Sequence, residues 1–250
     1  MSDKELTTKK YWEAYYKNSH VNKQHILTVC SYYSPIWEIF ISNSEVSKSL
    51  IEIGGFPGRY LAYLANRYNI EPTCLDYNSD LTQIEGSFME MDVQHYHIIK
   101  EDFIKFKPKL KYDYVMSNGF IEHFKNYDDI LDLHVKYMSE NGRLLVMIPN
   151  MKGYIQFYKY LVDYKNLKIH NLKCMKLKVF EDFAERHNLS ILHLGYYGGF
   201  PLGIHQKINF LQKIIYKLHR LVFKYFANDK LKKYPSKYFS SAIVGVFEKQ

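Results

Sequence analysis

The fold is decided by IEIGGFPGRYLA, residues 51–62, where an apolar strand-like segment passes through three glycines into a helix-like segment. Glycine adopts backbone angles that are closed to other residues, and it lets a ligand lie against the main chain. A dinucleotide-binding turn would need the spacing G-x-G-x-x-G. Phe56 and Arg59 stand where the second and third glycines of that pattern belong. The stretch therefore predicts a ligand-binding turn, but not one for NAD.

Short apolar runs alternate with helix-like segments along the rest of the chain, and no internal repeat or linker divides it. This alternation predicts an α/β fold in which helices cover both faces of a mostly parallel sheet. Hydrophobic periodicity predicts helices near 58–68, 127–138 and 178–187. It predicts strands near 49–53, 73–76, 97–100, 112–117, 143–148, 190–197 and 241–247.

Composition favours one globular domain inside the cell. With 250 residues, 47% of them hydrophobic, the chain can bury one substantial core. Its longest apolar runs fall short of the roughly 20 residues of a membrane span, and its N-terminus is charged where a signal peptide would be apolar. Cys30, Cys74 and Cys174 are far apart in sequence, which predicts neither disulfides nor a zinc knuckle. We expect a cytoplasmic protein without a metal.

The formal net charge of +8 suits an anionic partner, such as nucleic acid, a membrane surface or a phosphorylated small molecule. The chain has no Arg/Lys/Gly-rich arm and no aromatic signature of an RNA-binding module, so a nucleic acid is not expected. The sequence carries no signal for a particular oligomeric state.

Glu52, Gly54 and Gly58 form the pattern E-x-G-x-x-x-G, with which the chain resembles the class I S-adenosylmethionine (SAM)-dependent methyltransferases. That family often has a further glycine two residues after Gly54, which this chain lacks. Residues 112–124 (YDYVMSNGFIEHF) and 141–150 (NGRLLVMIPN) resemble the family's fourth and fifth strands. The resemblance implies a Rossmann-like three-layer sandwich with a seven-stranded, mostly parallel sheet whose last strand is antiparallel. It also implies SAM as cofactor and S-adenosylhomocysteine (SAH) as product.

The resemblance also assigns residues to the cofactor. Asp76, at the end of the second strand, would accept hydrogen bonds from both ribose hydroxyls, which suits the four lone-pair sites of a carboxylate. Asp102 and Phe103 would contact adenine, and Tyr77 would lie against its face. The alternatives are a turn that holds no ligand and carboxylates that only cap helices or shape turns. The remaining implied cofactor residues are Glu52, Gly54, Gly55, Phe56, Gly58, Ser117 and Asn118.

The resemblance implies in-line transfer of the sulfonium methyl group, so the protein mainly aligns the reactants and excludes water. A hydroxyl acceptor must also lose its proton, and His123 is the predicted base because imidazole titrates near neutral pH. Alternatively, Glu122 and His123 shape the loop and the cofactor pocket. On the substrate side, His170 is a rival base or else a surface histidine, while Tyr11 and Trp12 either contact the ligands or pack with each other.

The predicted organisation is a helical cap over residues 1–48, followed by a methyltransferase domain over residues 49–250. Loops mounted on a rigid sheet carry specificity in such folds. We therefore expect the substrate to be selected by insertions near residues 151–177 and 200–238.

Residues 207–226, in the second insertion, predict an amphipathic helix. Such a helix can lie on an anionic membrane, offer charge to a phosphorylated substrate, or pack in the core with a solvated basic face. Its predicted apolar face consists of Leu211, Ile214, Ile215, Leu218, Leu221, Val222 and Tyr225. The basic residues on the opposite face are Lys213, Lys217, Arg220 and Lys224.

The overall pattern is similar to that of bacterial methyltransferases of surface-polysaccharide (capsule or O-antigen) pathways. This resemblance implies a small anionic or glycan-precursor substrate, methylated on a hydroxyl of a sugar or of a phosphate-bearing compound. The alternatives are O- or N-methylation of another small molecule, SAM binding without catalysis, and an adaptor at a membrane surface.

Overall fold

A computed structural model describes residues 5–17, 21–42, 44–78, 80–205 and 207–250. Its strands are β1 (Lys48–Ile53), β2 (Ile70–Leu75), β3 (His97–Ile99), β4 (Tyr112–Asn118), β5 (Met138–Pro149), β6 (Leu189–Tyr197) and β7 (Ala242–Lys249). They form one sheet in the order β3-β2-β1-β4-β5-β7-β6. The pairs among β1 to β5 are parallel, whereas β7 is antiparallel to both β5 and β6. The prediction of a mostly parallel seven-stranded sheet with an antiparallel last strand is confirmed.

Helices connect the strands. They are α1 (Lys9–Tyr16), α2 (Lys23–Ser31), α3 (Ser34–Phe40), α4 (Arg59–Arg67), α5 (Thr82–Glu90), α6 (Tyr127–His134), α7 (Tyr154–Val162), α8 (Tyr164–Lys168), α9 (Leu177–Arg186), α10 (Phe210–Val222) and α11 (Asn228–Lys233). The helix predicted near 127–138 ends early, because residues 135–137 form a 3-10 helix that leads directly into β5. Thr8, Asn22 and Asn209 start α1, α2 and α10 by accepting hydrogen bonds from amides three residues on.

The core has one layer on each face of the sheet, because successive strand residues point to opposite faces. In the first layer, Leu50 and Met116 pack with the helices α2, α3, α4 and α5. Ile51 and Val115, their neighbours in the strands, join α6 and α9 in the second. The predicted three-layer sandwich is thereby confirmed.

The predicted cap is only partly separate from this sandwich. Residues 26, 30, 36, 37 and 40 of α2 and α3 are buried in the same core as the sheet. A smaller apolar cluster joins Tyr158 of the first insertion to Phe200 and Phe223 of the second. Residues 1–4, 18–20 and 43 of the predicted cap, and residue 206 of the second insertion, lie outside the described residues. The domain boundary at residue 48 stays a prediction.

Within the described ranges, every helix is too short or too polar to cross a bilayer.

Candidate active site

Two adjoining clefts open at the carboxyl ends of β1, β2 and β4, where ligands bind in open α/β sheets. The space between the walls, counted together with open solvent at the mouth, is about 800 Å³ in the first cleft and about 1160 Å³ in the second. The clefts are joined by residues that line both of them, namely Trp12, Tyr16, Gly54, Phe56, Asn118, Gly119 and His123.

The glycine turn separates the two clefts and requires glycine at two positions. Gly54 and Gly58 have φ angles of 66° and 88°, in the left-handed region that favours glycine. A Cβ atom on Gly54 would lie 2.4 Å from Cδ2 of Phe120, and one on Gly58 would lie 3.3 Å from Cα of Ile84. The absence of both side chains therefore lets the chain turn between β1 and α4 and leaves bare main chain at the cleft.

The first cleft brings together Asp76, Tyr77, Asp102 and Phe103, as the sequence predicts. Asp76 Oδ2 accepts a hydrogen bond from the Phe56 amide at 3.2 Å, and its Oδ1 accepts one from the amide of residue 78 at 2.8 Å. Burial raises the pKa of Asp76. Because a carboxylate oxygen has more than one lone pair, Asp76 can support the turn and still accept from a ligand.

Asp102, on the opposite wall, also shapes a turn. Its Oδ1 accepts from the Ile104 amide at 3.0 Å, and its Oδ2 lies 3.4 Å from Nζ of Lys105. Phe103 is buried, and its ring meets the edge of the Phe120 ring with centroids 5.5 Å apart. The adenine end predicted for this cleft would thus meet aromatic edges and one carboxylate.

Ser117 and Asn118 end β4, but they point in different directions. Asn118 lines both clefts. Ser117 lines neither, which corrects the predicted place of this residue. It shares the sheet face of Val115, and its Oγ is hydrogen bonded to Nε2 of His134 on α6 at 2.9 Å. Successive side chains in a strand point to opposite faces of the sheet, so Ser117 and Asn118 cannot both face the clefts.

The second cleft holds one acidic and one basic side chain, Glu52 and Arg59. In the part of the chain that the structure describes, Glu52 Oε2 and Arg59 Nε are buried and make no hydrogen bond. Burial raises the pKa of Glu52 well above its usual range, although Arg59 opposes this effect. Gly55 lines the same cleft, and a Cβ atom on it would lie 3.1 Å from Glu52 Oε2. Sequence reasoning did not predict a role for Arg59 and noted only that it stands where a dinucleotide-binding turn would have a glycine. Arg59 is the first residue of α4, and this position places it beside the turn.

Glu122, His123 and His170 meet on the wall of the second cleft. His123 Nδ1 lies 3.0 Å from the carbonyl oxygen of Ile169, and His170 Nδ1 lies 2.6 Å from that of Asn166. Carbonyl oxygens only accept, so both Nδ1 atoms donate and each Nε2 keeps a lone pair. The two rings are 4.6 Å apart, and His123 Nε2 lies 3.7 Å from Glu122 Oε1. His170 is therefore a cleft residue, not the surface histidine of the alternative interpretation.

Burial sets the protonation of this group. Burial, and secondarily His170, lowers the pKa of His123 to about 3, and burial lowers that of His170 to about 4. Burial raises the pKa of Glu122 to about 8. At neutral pH both rings are neutral and Glu122 is mostly protonated. Because a general base works best with a pKa near the operating pH, His123 alone is a weak base in this environment.

The N-terminal segment covers the junction of the clefts. Leu6 donates its amide to the carbonyl oxygen of His123 at 2.8 Å, and Glu5 forms an antiparallel bridge with Phe124. On α1, the Trp12 ring meets His123 edge-on with centroids 4.8 Å apart. Tyr11 lines the second cleft and also packs on Trp12 at 5.1 Å. The sequence left two alternatives for Tyr11 and Trp12, and both are found: the rings line the second cleft and also pack on each other.

Comparison with known proteins adds a family to this geometry. The Methyltransferase domain family matches residues 27–194. No curated protein is significantly similar in sequence to the chain.

Several solved structures share the fold at low sequence identity. A SAM-dependent methyltransferase from Geobacter sulfurreducens, in complex with SAH, is 12% identical with a TM-score of 0.57 over 98% of this chain and 100% of that one. Phosphoethanolamine N-methyltransferase 2 of Haemonchus contortus, with phosphomonomethylethanolamine and SAH, is 12% identical with a TM-score of 0.57 over 97% of this chain and 60% of that one. Coclaurine N-methyltransferase, with N-methylheliamine and SAH, is 12% identical with a TM-score of 0.57 over 93% of this chain and 75% of that one. Because the family matches more than half of its length, the chain belongs to the Methyltransferase domain family and is a class I SAM-dependent methyltransferase.

Proposed function

We propose that this protein transfers a methyl group from SAM to a small molecule bound in the second cleft. The cofactor is SAM, and SAH is the product formed from it. The observation that carries the proposal is the junction of the two clefts at Gly54 and Asn118. A methyl donor seated in the first cleft can point its reactive group through this junction. In-line alignment of two reactants supplies roughly 7 to 11 kcal/mol of a barrier.

The nucleoside of SAM fits the first cleft, where Asp76 and Asp102 offer acceptors to its ribose and adenine. The amino-acid end of SAM carries one ammonium and one carboxylate. The unpartnered atoms Glu52 Oε2 and Arg59 Nε match these two charges at the glycine turn. Charge-assisted hydrogen bonds of this kind are about twice as strong as neutral ones. The pairing also removes the cost of leaving buried polar atoms without partners.

Calorimetry with SAH tests the cofactor site. We expect micromolar binding to the wild-type protein and binding at least about 10-fold weaker to Asp76→Asn, because a charged acceptor of ribose hydroxyls is lost. Asp113→Asn is the matched control, since Asp113 is a partly buried hydrogen-bonded carboxyl near the opposite end of β4. Unchanged affinity in Asp76→Asn would refute the ribose assignment. SAH binding without turnover of any acceptor would leave a binding protein without catalysis.

For the acceptor, we favour a hydroxyl of a sugar or of a phosphate-bearing precursor, as in surface-polysaccharide synthesis. The resemblance described above supports this choice, and the second cleft adds aromatic faces from Tyr11 and Tyr15 and donors from Asn166 and His205. Sugar rings can stack on aromatic faces. Methyl transfer from labelled SAM to nucleotide sugars and sugar phosphates tests this choice.

An amine acceptor is the second candidate. The tyrosine and tryptophan rings of α1 form a cluster of edge-to-face and stacked pairs beside the cleft, and the centroids of Trp12 and Tyr15 lie 5.8 Å apart. Aromatic faces attract ammonium groups. Amine substrates belong in the same labelled-SAM assay, and exclusive labelling of nitrogen would replace the hydroxyl proposal.

We propose that α10 binds an anionic membrane surface and holds the enzyme there. The structure does not bury the apolar stripe as the core-packing alternative requires, because its members Leu211, Leu218 and Tyr225 are 69%, 57% and 65% exposed. Ile215 and Phe223 hold the helix to the apolar cluster of the insertions. An exposed apolar stripe beside basic residues is typical of helices that lie in the lipid headgroup region.

Flotation with lipid vesicles tests this placement. We expect the wild-type protein to float with vesicles that contain phosphatidylglycerol, and to float less with phosphatidylcholine alone or at high salt. Leu218→Glu should abolish flotation, whereas Leu110→Glu, a control at a 68% exposed leucine before β4, should not. Equal flotation of the two variants would refute the role of α10.

A further inference from the structure

We propose that Glu122, His123 and His170 form a binding site for one divalent transition-metal ion on the wall of the second cleft. Each residue offers one ligand atom, and these three atoms lie within 4.8 Å of one another. Sequence reasoning could not predict this site, because His170 is far from the other two residues along the chain. The expectation of a protein without a metal is therefore replaced by this proposal.

The spacing is close to that of a coordination sphere. Ligand atoms placed tetrahedrally at about 2.1 Å from Zn²⁺ lie about 3.4 Å apart. The distance between His123 Nε2 and Glu122 Oε1 is 3.7 Å. The three ligand atoms lie within 4.8 Å of one another, so the widest pair must close by up to about 1.4 Å to complete the set.

The backbone prepares both rings to be ligands. Metal-binding histidines almost always donate their other ring N–H to a carbonyl or carboxylate, which fixes the tautomer and the ring orientation. Ile169 and Asn166 supply such carbonyls to Nδ1 of His123 and His170. Nε2 of each ring is therefore free of a proton and available to a cation.

Glu122 supplies an independent observation. Its side chain is 1% exposed, and Oε2 has no hydrogen-bond partner among residues 5–17, 21–42, 44–78, 80–205 and 207–250. A buried acceptor without a partner costs about 1 to 3 kcal/mol. A cation bound through Oε1, which faces His123, or through both oxygens would pair with this buried carboxylate.

Two imidazoles and one carboxylate specify the class of ion. Ca²⁺ and Mg²⁺ prefer oxygen ligands only, whereas imidazole suits Zn²⁺, Fe²⁺, Co²⁺ and Ni²⁺. The three protein ligands leave a fourth position, and they line the cleft assigned to the acceptor. The role of the ion toward the acceptor rests on the proposed function. A bound ion would hold an acceptor oxygen and lower its pKa, which would help a hydroxyl acceptor to lose its proton.

Metal titration tests the site without SAM or an acceptor. Tag-free protein is stripped with a chelator and titrated with Co²⁺ while the visible d–d absorption is recorded, and competition with Zn²⁺ gives its affinity. We expect one equivalent in the wild-type protein and at least about 10-fold weaker binding in Glu122→Gln and in His170→Ala. His193→Ala, on the edge strand β6, is the control and should bind like the wild type.

One tight equivalent that both ligand variants lose and the control keeps would support the site. No tight equivalent in the wild-type protein would overturn it, as would one that Glu122→Gln and His170→Ala both retain. Glu122→Gln preserves the size of the side chain, and thermal unfolding of each variant identifies one that does not fold. SAH calorimetry on the same samples separates failure of the metal site from failure of the proposed function, because SAH binding depends on Asp76 and not on the ion.

Discussion

Replacement of Lys159 by Met should destabilise the protein strongly, because Lys159 neutralises a buried carboxylate. Lys159 and Asp163 are 4% and 1% exposed, and Nζ lies 2.9 Å from Oδ2. Nζ also donates to Asn166 Oδ1 at 3.1 Å, and the His205 amide donates to Asp163 Oδ1 at 3.2 Å. Without Lys159, the buried Asp163 carboxylate loses its lysine partner and keeps only the contacts with the amide and ring of His205.

The expected loss in the free energy of unfolding is about 3 to 5 kcal/mol at pH 7, the usual cost of removing one partner from a buried pair. That is a large part of the about 5 to 15 kcal/mol that stabilises a typical protein. Urea unfolding followed by circular dichroism measures it. Lys178→Met is the matched control, since Lys178 pairs with Asp182 at the same helical spacing but with 68% and 46% exposure. That variant should unfold at nearly the same urea concentration as the wild type, because exposed ion pairs contribute little.

The pH dependence gives a second measurement. Burial raises the pKa of Asp163, but hydrogen bonds from His205 and the charge of Lys159 outweigh burial, so the pKa lies below its ordinary value of 3.8. With a lowered pKa in the folded state, the stabilisation is present above pH 3.8 and is lost as the pH falls further. In Lys159→Met the pKa of Asp163 should rise, so the stability difference from wild type should shrink as the pH falls from 7 toward 4.

The double variant Lys159→Met/Asp163→Asn removes both charges and should recover most of the loss. A loss below about 1 kcal/mol in the single variant, or no recovery in the double variant, would show that the pair is not desolvated as described. The reasoning would then also fail for Asn166, which Lys159 holds through a hydrogen bond to Oδ1. The backbone carbonyl oxygen of Asn166 accepts from His170 Nδ1 and orients that ring.

Two further predictions concern the turn and a buried histidine. Gly54→Ala should weaken SAH binding about 10-fold or more in calorimetry, because the new Cβ would meet the Phe120 ring and the left-handed backbone conformation itself costs an alanine about 1 to 2 kcal/mol. Gly86→Ala is the control and should bind SAH normally, because the space around its Cβ is open. Equal affinities of the two variants would refute the packing argument. Burial lowers the pKa of His134 from 6.5 to about 4, so its stabilisation is present above pH 6.5, and about 3 kcal/mol is lost as the pH falls to 4. Urea midpoints of His134→Gln should therefore fall less over this pH interval than those of wild type or of a variant at the exposed His97, and parallel curves would contradict the assignment.

The strands and the glycine turn could be predicted because their signals are local. Apolar runs mark buried strands, and the spacing of Gly54 and Gly58 reports backbone angles that only glycine adopts readily. The same holds for Asp76 and Asp102, since residues at the carboxyl ends of neighbouring parallel strands necessarily converge.

The remaining features depend on tertiary structure. The direction of Ser117 follows from which face of β4 receives α6, and a strand that is buried on both faces shows no polar alternation to reveal it. His170 reaches Glu122 and His123 only because the loop after α8 folds back, with the Asn171 amide bonded to the Glu122 carbonyl oxygen at 2.7 Å. The exposure of α10 could not be predicted either, because an apolar stripe looks the same whether protein or lipid covers it.

The bond from the Leu6 amide to the carbonyl oxygen of His123 has a practical consequence. A purification handle fused ahead of Glu5 would begin close to His123 and the junction of the two clefts, and a polyhistidine handle would bring competing imidazoles there. Gln250 follows β7, whose last residues pair with the first residues of β6. Expression vectors for kinetics and metal analysis should therefore carry the handle at the C-terminus.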